Sequence, residues 1–115
     1  MNYQRNAYTY NTDTLFRLAS VELTVERNGE LVLASRGILA KLKYEDADRT
    51  SGQAFTNSMD VLIRGSELYE PKTGDVIRVA SGDTYIVRPF ANEIWRYDDP
   101  YNLVVRIHAQ RRSAS

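Results

Sequence analysis

Val21, Leu23 and Val25 alternate with Glu22, Thr24 and Glu26, the period of a strand with one face buried. Asn28-Gly29 follows, a pair that favours tight hairpins, and residues 30–34 read as the return strand. A two-residue loop would set Glu26 against Leu31 and Thr24 against Leu33. A three-residue loop over 27–29 pairs Val25 with Leu31 and Leu23 with Leu33, which keeps apolar residues on one face. The expected hairpin therefore carries a bulge at Gly29. Gly37 interrupts the pattern. Ile38, Ala40, Leu42 and Tyr44 then alternate with Leu39, Lys41 and Lys43 as a further strand.

Residues 45–57 are polar apart from Phe55 and read as a long loop, of the kind that in a compact domain is functional or mobile. Strands are expected at 59–64, 76–80, 84–87, 94–97 and 103–110. Turns lie between them: the Pro71 and Gly74 stretch, Ser81-Gly82-Asp83, and Asp99-Pro100-Tyr101-Asn102, which has Asp first and Pro second as a type I turn favours. The first dozen residues are rich in Tyr and Asn and show no period. They read as an N-terminal arm over 1–13, free or docked on a neighbour through Tyr3, Tyr8 and Tyr10, since tyrosine is enriched at interfaces. Asp13 is a candidate cap for a helical turn at 14–17. Residues 111–115 read as a basic frayed tail. Short strands at regular spacing with almost no helical pattern predict an all-β fold: one domain over 1–115, a small barrel or sandwich with a long loop and flexible termini.

Composition narrows the chemistry. The chain has 115 residues, one domain's worth, with 15 basic and 15 acidic residues and zero formal net charge. A protein whose affinity rests on phosphates carries a basic surplus, which is missing here. There is no cysteine, which excludes disulfides and thiolate chemistry, and a single histidine excludes the common zinc sets within one subunit. The opening residues do not read as a signal peptide, no apolar run is long enough to span a bilayer, and a cytoplasmic location is the default expectation. Glu45, Asp46 and Asp48 lack the spacing of a calcium loop and read as a solvated acidic patch.

The densest chemistry lies in residues 93–110, EIWRYDDPYNLVVRIHAQ, which hold the only tryptophan and the only histidine. A catalytic reading makes Asp98 or Asp99 orient His108 as a general base. No nucleophile or electrophilic site accompanies it. The structural reading has Arg106 or His108 tie down the aspartates of the preceding turn, with Trp95 covering the open end of the core. Structure is favoured, because a catalytic site needs more than one titratable pair. Glycines 74 and 82 match no phosphate-binding pattern and read as turn residues. Tyr85, Trp95, Tyr97 and Tyr101 loosely fit a stacking surface for single-stranded nucleic acid on an OB-like barrel, which the neutral charge disfavours.

The segment MDVLIRGSELYEPKTGDVIRV resembles a run in small phage neck proteins, where a strand ending D-x-L-I meets a short apolar segment and then E-P-K-x-G-D-x-I. The continuation GDTYIVRP…IWRYDDPYNLVVRIHAQ is similar to their C-terminal signature of aromatic-Arg, Asp-Pro-Tyr and a strand carrying Arg-Ile-His. The family is the head–tail joining, or head-closure, proteins of long-tailed bacteriophages. The resemblance covers the C-terminal half; the N-terminal half matches only in being β-rich. The matching positions are Asp60, Pro71, Gly74, Asp75, Trp95, Arg96, Asp99, Pro100, Tyr101, Arg106 and His108, carried over as determinants of fold and turn.

The resemblance implies a virion protein of the neck with no catalysis and no cofactor, assembled from the host cytoplasm into a homo-oligomeric ring. Portal or adaptor ring proteins and tail proteins are its implied partners, with possible non-specific DNA contact in the channel and none with membrane. Tyr8, Tyr10 and Phe55 are candidate contact residues on the arm and loop. A tail terminator or other tail structural protein is the alternative within the virion.

Overall fold

Every strand expected among the described residues is present. The computed structural model describes residues 3–40 and 58–112. It holds a helix α1 (Tyr3–Ala19) and strands β1 (Val21–Arg27), β2 (Glu30–Ala40), β3 (Ser58–Arg64), β4 (Val76–Val79), β5 (Thr84–Val87), β6 (Trp95–Tyr97) and β7 (Val104–Arg111). All pairings are antiparallel, and the order β3-β2-β1-β4-β5-β7 closes on itself through β3 and β7. The result is a six-stranded barrel, so the choice between barrel and sandwich falls to the barrel. Closure removes sheet edges that would otherwise invite pairing with other chains. Inside sit Leu23, Val25, Val61, Ile63, Ile77, Val79, Tyr85, Val87, Val105, Ile107 and Ala109, the inward positions of five strands, with Leu33 and Leu39 of β2 packed against them.

The β1–β2 hairpin corrects the expected register. Arg27 pairs with Glu30 and Glu26 with Leu31, so the loop is the two-residue Asn28-Gly29. Both loop residues have positive φ, as a type I′ turn requires. The conflict between apolar faces is resolved one step further on. The register shifts between Val25 and Glu26, leaving Val32 as the extra residue and setting Val25 opposite Leu33. The bulge thus lies in the strand rather than at Gly29.

Gly37 does not end a strand. β2 runs through it and changes partner there, pairing with β1 up to Gly37 and with β3 from Gly37 onward. A Cβ at this position would lie 2.5 Å from Leu23 Cδ2 and 2.8 Å from the Leu62 carbonyl oxygen. The missing side chain lets the sheet turn its corner.

The N-terminal arm is also corrected. From Tyr3 onward it belongs to a helix of 17 residues, and Asp13 lies inside that helix rather than capping it. Phe16 anchors the helix in a second buried cluster with Ile38, Leu62 and Val104 on the outside of the barrel wall. The Arg64 guanidinium lies 4.8 Å from the Phe16 ring centroid and 2.6 Å from Asp13 Oδ1. Tyr8 meets Tyr101 edge-on at 5.2 Å, and the Tyr101 hydroxyl donates to Gln4 Oε1. The expected tail begins later than proposed: Arg111 still pairs with Tyr85, and the Arg112 amide donates to the Thr84 carbonyl. The loop 45–57 with Phe55, and the ends of the chain at 1–2 and 113–115, lie outside the described residues.

One substitution tests the helix anchor. Phe16→Ala should cost on the order of 3 kcal/mol in chemical denaturation. The helical signal in circular dichroism should fall while the strand signal stays.

Candidate functional site

The outer face of the β3–β7 pair is covered twice. At one end α1 lies over Leu62 and Val104. At the other, an excursion of the chain lies over Asp60 and His108. β5 and β6 run along the same edge of β7, β5 beside residues 109–111 and β6 beside 105–107. Between them residues 88–94 leave the sheet. The Arg88 amide donates to the His108 carbonyl, and the His108 amide donates to the Ile94 carbonyl. The excursion thus leaves and rejoins at one residue, His108. Its tip is a tight turn in which Phe90 and Glu93 exchange backbone hydrogen bonds, with Ala91 and Asn92 at positive φ. This turn brings Phe90 to 5.9 Å from the His108 ring and Glu93 onto its edge.

Beneath it Asp60 stands directly across from His108 in the β3–β7 ladder. Asp60 is fully buried. Its Oδ1 lies 2.8 Å from His108 Nδ1, and its Oδ2 accepts from Arg106 Nη1 at 2.7 Å. The other side of the Arg106 guanidinium donates to both oxygens of Asp98, at 3.0 and 3.2 Å. His108 Nε2 lies 2.7 Å from Glu93 Oε1, which also accepts from Arg96 Nη1 at 2.9 Å. Three carboxylates thus face Arg96, Arg106 and His108. The charges balance when the imidazole carries both protons.

Both ring nitrogens of His108 face carboxylate oxygens, and a carboxylate accepts, so both nitrogens donate. Burial, the largest influence, lowers the pKa of this group. The hydrogen bonds and charges of Asp60 and Glu93 outweigh it and leave the pKa raised. Burial likewise pulls against Arg106, and Asp98 and Asp60 outweigh it. A folded-state pKa above the unfolded one means that the stabilisation is complete below the unfolded value, about 6.5, and is lost as pH rises through the raised one.

The general-base reading of His108 is corrected here. Neither Asp98 nor Asp99 touches its ring; Asp60 and Glu93 do, and they leave no nitrogen lone pair in the closed arrangement. The proposed ties to the turn are present in part, through Arg106 and Asp98. Asp99 instead builds the turn: its side chain accepts from the amides of Tyr101, Leu103 and Val104. Pro100 and Tyr101 form the turn surface that meets α1. Trp95 is half-buried on β6, packed against the core and edge-on to Tyr97.

Gly74 and Asp75 belong to a separate tie. Buried Asp75 accepts two hydrogen bonds at 2.8 Å from Arg27 at the end of β1 and one from the Lys72 amide. Gly74, at φ 95°, donates its amide to Val87. Tyr8 sits against Tyr101, while Tyr10 points outward and is well exposed. Glu93 was not legible as a partner for His108. Nothing in the sequence marks a surface-type residue fifteen positions away, and only the 88–94 excursion delivers it. Asp60 carried a signal, an acid inside the apolar run Met59-Asp60-Val61-Leu62-Ile63.

The family model described as phage head-tail joining protein matches residues 1–115. The chain belongs to the phage head-tail joining protein family. The match takes in the N-terminal half, which the motif resemblance did not reach. No match is found among curated proteins. In this member of the head-tail joining family, the C-terminal signature supplies the closing turn and, together with Asp60 and Glu93, the ion network.

Breaking that network from the middle should be costly. Arg106→Met leaves two carboxylates facing an apolar side chain and should cost about 3–5 kcal/mol in urea unfolding.

Proposed function

We propose that this protein is a structural component of the virion neck, joining the portal side of the DNA-filled head to the tail and helping to retain the packaged DNA. The family match along the whole chain carries this reading. It acts as an oligomeric ring between portal or adaptor proteins and tail proteins, assembled in the host cytoplasm, and not as an enzyme. Contact with DNA in the channel is non-specific and secondary, in keeping with zero net charge.

The surface suits assembly. Tyr10, Leu15 and Leu18 of α1 are exposed, as are Leu31 and Val32 beside the hairpin turn. Apolar side chains in solvent gain by being covered. α1 and the 45–57 segment supply the contacts to neighbours in this reading.

Mass spectrometry of purified particles, with DNA-filled heads separated from free tails, tests it. The protein is expected in filled heads. Recovery only in tails would transfer it to the tail-terminator role. Absence from both would overturn a virion role and make single-stranded nucleic acid the next ligand to try.

A further inference from the structure

We propose that residues 88–94 form a strap, closed over the Asp60–His108 pair by the proton on His108, which opens when that proton leaves while the barrel beneath stays folded. The topology allows this. The ring of six strands closes through β3–β7 and β5–β7, and the 88–94 excursion belongs to neither ladder. It is fastened at its two ends, by the Arg88 amide and the Ile94 carbonyl, both to His108. Its tip is fastened by Glu93, the one acidic residue in Arg-Pro-Phe-Ala-Asn-Glu-Ile.

The groups around the imidazole decide which contact fails. Asp60 faces Nδ1 from β3, and Arg106 of β7 holds its other oxygen. Asp98, from the β6–β7 turn, faces Arg106 on the far side. Glu93 faces Nε2 from the strap, with Arg96 of β6 on the same oxygen. Arg88, within the strap, is exposed at its start. A neutral imidazole keeps one proton. Asp60 is fixed in a central strand with 0% exposure and cannot turn to water, so the proton stays on Nδ1. Nε2 then presents a lone pair to Glu93 Oε1 at a distance where two acceptors repel. Glu93 is 26% exposed and can turn to solvent. Glu93 releases, and Phe90 follows it off the imidazole. Asp98 keeps its hold on Arg106, and β6 stays paired with β7.

The direction agrees with the raised pKa of His108. The strap is shut while His108 holds both ring protons and opens as pH rises through its raised folded-state pKa.

Fluorine NMR of the full chain labelled with fluorophenylalanine reads this directly, with a soluble gadolinium chelate reporting exposure. Phe90 sits in the strap and Phe16 under α1, so the two rings separate strap opening from loss of the barrel. Relaxation of the Phe90 signal should rise severalfold as pH is raised through the His108 transition, with Phe16 unchanged. In Glu93→Gln the transition should vanish and Phe90 should stay shielded. The amide can accept from a protonated Nε2 or donate to a bare one. The proposal is overturned if Phe90 stays shielded up to the onset of tyrosine ionisation near pH ~10. It is also overturned if Phe16 becomes exposed together with Phe90, or if Glu93→Gln keeps the wild-type transition.

Discussion

A carboxylate with no access to water sits in the middle of a β-strand, and much of the structure follows from the need to pair it. Asp60 lies between Met59 and Val61, in the strand that closes the barrel. Unpaired, it would cost several kcal/mol, so its partners must be in place whenever the barrel is shut. Both come from β7, two residues apart: Arg106 and His108. The ion set therefore fixes register as well as charge. A slip of one residue between β3 and β7 would turn Arg106 and His108 toward Val61 and Ile63 and bring Ile107 outward. Apolar packing among similar branched side chains does not discriminate so sharply.

The consequences reach outward from that pair. Arg106 has a second side to satisfy, which Asp98 meets, so the closing turn is held from within. Asp99 builds the same turn from without through three backbone amides. His108 has a second nitrogen, which Glu93 meets, so the chain between β5 and β6 leaves the sheet at this level. The neighbouring level of the same wall is apolar, and α1 covers it with Phe16. One face of two strands thus holds a helix by hydrophobic contact and a strap by charge. The helix adds one surface ion pair, Arg64–Asp13, while the strap rests on the charge of His108.

The strands were legible because half-buried strands write their period into the sequence, and the Asp-Asp-Pro-Tyr turn because its residues act locally. The helix was not. Its buried face consists of Thr12 and Phe16, too little to leave a period, and its Asn, Thr and Tyr residues have modest helical propensity. α1 is held by tertiary contacts. The hairpin register failed for a related reason. Keeping apolar faces aligned was the right constraint, but a bulge within β2 satisfies it as well as a longer loop does. Arg106 and His108 stood out as a polar pair on the last strand. Their partners at 60 and 93 are distant in sequence, and only the closed topology brings them together.

The same topology frames the role in the virion. A closed barrel offers few strand edges, so in the proposed role contacts with head and tail proteins fall to exposed apolar side chains of the helix and the hairpin tip. Its stability rests on a charge set that balances only with a protonated imidazole. Nitrogen-15 NMR of the His108 ring tests that most directly. Below pH ~6.5 two ring N–H groups are expected, each with a directly bonded proton coupling, on nitrogens 2.8 and 2.7 Å from the oxygens of Asp60 and Glu93. A single ring N–H, with the other nitrogen at the shift of a bare imidazole nitrogen, would contradict it.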